Sequence, residues 1–464
     1  MRGLWIIAIA AAAATVGLGL LWASGGVYTQ TKHGDTATGV ERLATEPVGD
    51  CAQCHDQHAS RDGTPTGGPY PYVLFAPNDN QLCSTAGGAG GCHSTSGALG
   101  IYPGPTEYDQ SSHQTSSSMV WPGPDPRARP AGEAGFCVNC HTPHGAGDGL
   151  GLIPSQISVR EEGSCLACHD ASGPALTDVQ SDFNRSSAHP TTTSQQRHDA
   201  GESTPGDFGI SDRHAECEDC HNPHDVRADT IAPTPPDASA RNQRISRVAV
   251  TNGTAGTVPT YTFLPAADTG TVREYELCFK CHSSWTTQPA GQDDMALLFN
   301  PNNPSYHPVE ALGKNTNIRV EAFVSPWTAT SRVYCGDCHG SDDGAVAGPH
   351  GSTHAGLLRD AYPASSAFRE MAPNEVCFNC HSYTIYADRD RDDASRFRSH
   401  ERHFDKDVVC YACHDSHGST TLPSMIVTGR DPGIVSYTQD ANGGSCAGTP
   451  ACHGTKTYTI NYPR

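Results

Sequence analysis

Beyond residue 23 the chain has no apolar run of membrane length, and it is poor in everything that builds an ordinary protein core. Of 464 residues only 36% are hydrophobic and 7% aromatic, while Gly numbers 48 and Pro 34. That composition excludes the two or three self-sufficient hydrophobic cores expected at this length. Basic residues are scarce as well: 30 Lys and Arg stand against 50 Asp and Glu, a formal net charge of −20. A phosphate backbone needs a basic face, so nucleic acid is not an expected partner, and the acidic surface reads as solvation. Methionine is limited to Met1, Met119, Met295, Met371 and Met425. No cysteine is left over: all twenty fall into ten pairs, each ending in Cys-His.

Eight of those pairs share the spacing Cys-x-x-Cys-His. In the first half of the chain they are Cys51, Cys54 and His55; Cys137, Cys140 and His141; Cys165, Cys168 and His169; and Cys217, Cys220 and His221. The second half holds Cys278, Cys281 and His282; Cys335, Cys338 and His339; Cys377, Cys380 and His381; and Cys410, Cys413 and His414. This is the attachment signature of c-type haem: each sulfur adds across one vinyl group, and the adjacent His supplies an axial nitrogen to iron. On one helical turn residues i, i+3 and i+4 share a face, so the three side chains can meet one porphyrin. Zinc sites also use Cys-x-x-Cys, but they do not require a His directly after every second cysteine.

Two pairs are stretched. CSTAGGAGGCH contains Cys83, Cys92 and His93, and CAGTPACH contains Cys446, Cys452 and His453. Their inserts hold only Gly, Ala, Ser, Thr and Pro, which suits a loop that bulges while both sulfurs still reach the vinyls; small-loop disulfides are the alternative in an exported chain. The cysteine arithmetic predicts ten covalently bound haem c groups. These large flat apolar bodies would replace the missing core, stapling a loop-rich chain as disulfides staple small secreted domains.

The N-terminus agrees with export. MRGLWIIAIAAAAATVGLGLLWASGG carries one early charge, Arg2, and then an uncharged run from Gly3 to Ala23. We read residues 1–23 as an export signal, with a retained membrane anchor as the alternative, since the run is long enough to span a bilayer and the cleavage site is a mediocre match. The expected location is therefore the periplasm or the outer cell surface and extracellular space, with membrane contact only through that segment.

In CVNCHTPHG a second histidine, His144, follows three residues after His141. Three residues extend only about 10 Å, so His144 cannot pass around the porphyrin to the opposite face of the same iron. It serves a different iron or none. The ten motifs group into five pairs, each with its own trailing histidine: His58, His144, His224 and His417 stand three positions past a motif histidine, and His350 lies in GPHGSTH after His339. Leading histidines precede the pairs: His33, His113, His189 with its rival His214, His307 and His403. SSAHP around His189 and SYHPV around His307 are alike, and each His lies 28 residues before the first Cys of its pair. Those eleven are the candidate distal ligands, and His198, His354 and His400 are the expected spares among fourteen non-motif histidines. With methionine so rare, the irons are expected to be bis-histidine and of low potential.

The motifs CVNCHTPHG, CEDCHNPH, CYACHDSHGS and SYHPVE, together with VAVTNGTAGTVPTYTF leading into EYELCFKCHSSW, resemble the multihaem c-type cytochromes with doubled C-x-x-C-H motifs found in metal-reducing bacteria. The resemblance implies an exported electron carrier whose partners are other redox proteins, among them cytochromes and quinol-oxidising or outer-surface complexes. Some members of that family polymerise into haem-lined filaments, so a homopolymer is a further expectation of the resemblance. The stretched motifs depart from the family's usual spacing.

The expected fold is mostly irregular coil with short α-helices at the haem motifs, a haem-stapled chain without a conventional core. A small β-hairpin is expected at about 240–265, where RISRVAVTNGTAGTVPTYTFLP has two β-rich runs around Asn-Gly. The pairs divide the chain into 24–130, 131–185, 186–310 with the hairpin insert, 311–395 and 396–464. The leading functional expectation is electron transfer without substrate chemistry, because an iron with both axial positions filled has no place for a substrate. The rival is a reductase of nitrite, hydroxylamine or a sulfur oxyanion, which needs one open haem; every motif here ends in His, and distal candidates outnumber irons.

Overall fold

The computed structural model describes residues 28–56, 60–61, 64–65, 70–77, 79–84, 92–93, 108–120, 134–141, 143–145, 162–191, 205, 215–287, 291–344, 346–362, 365–387 and 395–462. The chain forms two units. One comprises Met1–Gln180, Ser194–His198 and Glu216–Ala228; the other comprises Ser181–Thr193, Asp199–Ala215 and Asp229–Arg464. Each carries five of the ten Cys-His motifs. Among the described residues coil dominates, broken by helices and 3₁₀ turns of three to eight residues and by small antiparallel sheets.

In the first unit β1 (Ser60–Arg61) pairs with β2 (Thr64–Pro65). The second unit holds β3 (Ser187–Ala188), β4 (Arg247–Thr251), β5 (Thr260–Leu264), β6 (Ser305–Tyr306), β7 (Gly351–Ser352), β8 (Gly418–Ser419), β9 (Ile434–Gln439), β10 (Gly443–Gly448) and β11 (Lys456–Thr459). β4 and β5 form the expected hairpin, with Arg247 opposite Leu264 and Thr251 opposite Thr260. Their turn is an eight-residue loop, not a tight Asn-Gly turn: Asn252 directs its amide to Glu310 Oε2 at 2.6 Å. The hairpin packs on the longest helix, Glu274–Cys281, whose first turn carries Glu274 and Glu276 where the helix dipole favours negative charge. Val248, Tyr275, Phe279, Trp285, Ala296, Phe299 and Val309 make a small buried cluster there, and a second gathers Met371, Phe378, Ala387, Phe404, Val409 and Ala412.

Two local expectations are revised. Most regular motifs outside the longest helix are 3₁₀ turns, among them Cys51–Gln53, Cys137–Asn139, Cys335–Asp337 and Cys410–Ala412, because four or five residues suffice to bring the two cysteines and the histidine together. The last stretched motif is not simply a bulging loop: Cys446 sits in β10, the middle strand of an antiparallel β9–β10–β11 meander, and Cys452 follows in the turn after it.

Candidate haem sites

At all eight regular motifs the backbone N–H of the histidine donates to the carbonyl of the first cysteine, at 2.7–3.0 Å. One turn is closed each time, and the two sulfurs and the imidazole emerge on one side. In the stretched motif at Cys83 the same bond forms across the insert, from His93 N–H to Cys83 O at 3.1 Å, so eight residues between the cysteines instead of two leave the ends bonded as in a regular copy. At Cys446 no equivalent bond joins the ends; Gly448 N–H instead donates to His453 O at 2.9 Å. All twenty cysteines are free of disulfides.

The histidines meet in twos. In the first unit His33 faces His93 with ring centroids 5.8 Å apart, His144 faces His55 at 5.9 Å, His224 faces His141 at 6.0 Å and His113 faces His169 at 6.2 Å. In the second unit His189 faces His282, His307 faces His381 and His417 faces His339, each at 6.3 Å. His400 faces His414 at 6.3 Å and His403 faces His453 at 6.0 Å. Two metal–imidazole bonds of about 2 Å, with about 1.1 Å from each nitrogen to its ring centre, would separate centroids by about 6.3 Å. The residues therefore fit an iron between each couple. At His33 and His93 the Nε2 atoms point at each other 3.5 Å apart, near the roughly 4 Å that two such bonds require. Among the described residues no three His, Cys, Asp or Glu side chains converge as a bare zinc site would need.

Backbone carbonyls fix the orientation of three motif rings. Nδ1 of His55, His339 and His414 donates to the carbonyls of Tyr72, Gly356 and Ser424 at 2.9, 2.7 and 2.9 Å. All three acceptors have left-handed backbone, with φ of 62°, 74° and 57°. A donating Nδ1–H fixes the tautomer that leaves Nε2 free as a metal ligand. Burial, and after it the neighbouring imidazoles, push His224 and His381 down to about 4 and His400 to about 3, so these rings are neutral at physiological pH. Neutral imidazole is the form that binds metal.

The motifs of the second unit are neighbours in sequence order. The neighbouring Cys278 thiol pushes that of Cys335 up, and Cys410 does the same to Cys377; Cys338 lies in the field of Cys377, and Cys413 in that of Cys446 and Cys452. In the first unit the nearby Cys137 raises the Cys83 thiol likewise.

His400, expected as a spare, lies opposite His414: it stands one turn from His403 on the helix His400–Phe404, so a single helix serves both motifs of the last pair. His189 faces His282. His350 packs edge-on against Phe183 at 5.6 Å. His354 offers its backbone N–H to Ser352 Oγ. His58, His198 and His214 lie outside the described residues. The carbonyl-presenting turns at Tyr72, Gly356 and Ser424 escaped sequence reading, because a left-handed Tyr or Ser carries no compositional mark.

The family model described as doubled CXXCH motif matches residues 328–385, the stretch with Cys335, Cys338 and His339 and with Cys377, Cys380 and His381. No curated protein and no solved structure matches the chain. The paired motifs mark a multihaem c-type cytochrome of electron transfer with covalently bound haem c.

Proposed function

We propose that this chain is a ten-haem electron conductor working outside the cytoplasm, in which every iron is closed on both faces by histidine. The single observation that carries the reading is the set of nine opposed histidine couples at 5.8–6.3 Å. Haem c held there supplies a one-electron iron couple. The cysteines of each motif fix a ring at its edge, the motif histidine holds one face, and a histidine from elsewhere in the chain holds the other. With both faces occupied, no side chain or substrate has a position to enter. The mutual influence of successive motif cysteines from Cys278 to Cys452 supports an ordered line of neighbouring rings in the second unit. The uncharged N-terminal run supports export, and the partners on this reading are other redox proteins, or further copies of the chain in a filament.

An EPR spectrum with an exogenous-ligand titration tests this. The oxidised protein is expected to be almost wholly low-spin and to bind neither carbon monoxide, nitrite nor hydroxylamine tightly. A stoichiometric high-spin haem that binds nitrite or hydroxylamine and turns it over would replace the conductor by a reductase.

A further inference from the structure

The non-motif histidines are linked to one another by a repeated hydrogen bond. His33 Nδ1 meets the carbonyl of Pro143, the residue before His144, at 3.2 Å. His113 does the same with Pro223, before His224, at 2.8 Å, and His189 with Pro349, before His350, at 2.6 Å. His307 Nδ1 meets the carbonyl of Ser416, before His417. The fifth case is built differently, since His403 Nδ1 meets the carbonyl of Ser399, before His400, at 2.7 Å within one helical turn. A carbonyl only accepts, so Nδ1 is the donor in all five. The first four bonds close separations of 109 to 160 residues and the last only four, yet the same two atoms are joined.

A second feature repeats with it. The histidine after the acceptor carbonyl has an aromatic ring edge-on: Tyr28 on His144, Tyr108 on His224, Phe183 on His350, Phe299 on His417 and Phe397 on His400, at 5.0–6.1 Å. Where the trailing histidine is followed by glycine, the turn leaves no room for a side chain. A Cβ on Gly418 would stand 2.2 Å from Leu298 O, and one on Gly351 1.8 Å from Asp182 O.

We propose that the two distal histidines of a haem pair form one hydrogen-bonded clamp, in which the carbonyl preceding one ligand sets the donor strength of the other. The proposal rests on the haem ligation reading. In the fourth pair His417 faces His339 on the first motif and His307 faces His381 on the second. Donation from His307 Nδ1–H to the Ser416 carbonyl makes His307 a more basic ligand, which stabilises the ferric state and lowers the potential at that iron. The acceptor peptide carries the nitrogen of His417 itself. Any movement of His417 therefore reaches the second iron of the pair through one peptide bond and one hydrogen bond. Ser416, His417 and Gly418 are in this sense positioning residues for an iron that none of them ligates.

Three variants of the full-length holoprotein decide the matter. His307→Ala tests the ligation reading alone, because it should make the iron at Cys377 and Cys380 high-spin; all irons remaining low-spin would sink that reading and the clamp with it. Exchanging His307 for Nδ1-methylhistidine keeps Nε2 and removes the donor. Here the iron should stay low-spin while its midpoint potential rises; an unchanged potential overturns the clamp and leaves ligation standing. Gly418→Ala removes no histidine but forces the turn off Leu298 O. It should shift the EPR signals of two haems, at Cys335 and at Cys377, whereas the control Gly253→Ala, whose Cβ would meet only the Thr257 side chain at 3.4 Å, should shift neither. A change confined to the Cys335 haem also overturns the clamp. If Gly418→Ala fails to mature, the methylhistidine variant decides.

Discussion

A single side chain here does its work away from its own motif. His144 is three residues from His141, yet its ring stands 5.9 Å from that of His55, while His141 faces His224. His144→Ala should therefore keep every thioether, leaving the intact mass lower only by the side-chain difference, and convert the haem at Cys51 and Cys54 to a high-spin, carbon-monoxide-binding form. A high-spin haem at Cys137 instead would refute the pairing. Glu310 gives a prediction in pH. Burial pushes its carboxyl up to about 7, against smaller opposing effects from the Asn252 amide and Arg332, while Asp294 raises it further. Its Oε1 is buried without a partner. The folded state thus binds this proton more tightly than the unfolded state does. Its contribution to stability is complete below the ordinary carboxyl range, about pH 4, and is lost as pH rises through 7. Glu310→Gln mimics the protonated form, so its melting temperature should fall less than that of the wild type between pH 5 and pH 8. Equal falls would show that the site carries no linked proton.

Elements in this chain are short because their task is to present two or three side chains. The hairpin β4–β5 was readable in advance: Val248 and Val250 alternate in one run and Tyr261 and Phe263 in the other, a period of two that little else can satisfy. The meander β9–β10–β11 was not, because β10 reads GGSCAG and owes its form to pairing with Tyr437 and Tyr458 on either side. Likewise the motif cysteines and histidines are visible as spacings, whereas the opposing histidine comes from a position 14 to 93 residues away and is chosen by tertiary contact. The place of His400 opposite His414 was hidden for a related reason: its helix is only five residues long, too short for a periodic signal. The helix Met295–Leu298 and the Phe299 that ends it join packing to ligation. Phe299 is buried in the cluster with Phe279 and also lies edge-on to His417 at 5.5 Å. Phe299→Ala should cost about 3–5 kcal/mol in denaturant unfolding, the usual range for an aromatic removed from a core. It should also broaden the EPR signal of the haem at Cys335, which a purely structural loss elsewhere in the cluster, such as Val248→Ala, should leave sharp.

For the molecule as a whole the question is what stands in for a core. In the described residues the two buried clusters comprise seven and six side chains, both in the second unit, and the remaining segments are held by isolated bridges, backbone turns and opposed histidines. An imidazole couple held 6 Å apart with neutral, desolvated rings gains little from its own contact. Burial disfavours charging either ring, and at His33 and His93 the nitrogens stand 3.5 Å apart, too far for a good hydrogen bond. Arrangements of that kind are favourable only with a metal between the nitrogens and apolar surface around it. Folding and haem loading should then be one transition, as for small domains whose metal binding is their folding free energy. The expectation is that protein matured with haem resists protease and shows cooperative melting, while the same chain made without haem attachment has near-random circular dichroism and rapid amide exchange throughout. The intact mass of the mature protein should correspond to ten haems, since the ends of the Cys83–His93 insert meet as in a regular motif. Eight haems with disulfides at Cys83–Cys92 and Cys446–Cys452 would show that the stretched motifs are staples of another kind. A haem-free chain with native-like exchange protection would show that the two small clusters suffice, and that the porphyrins are passengers in the fold.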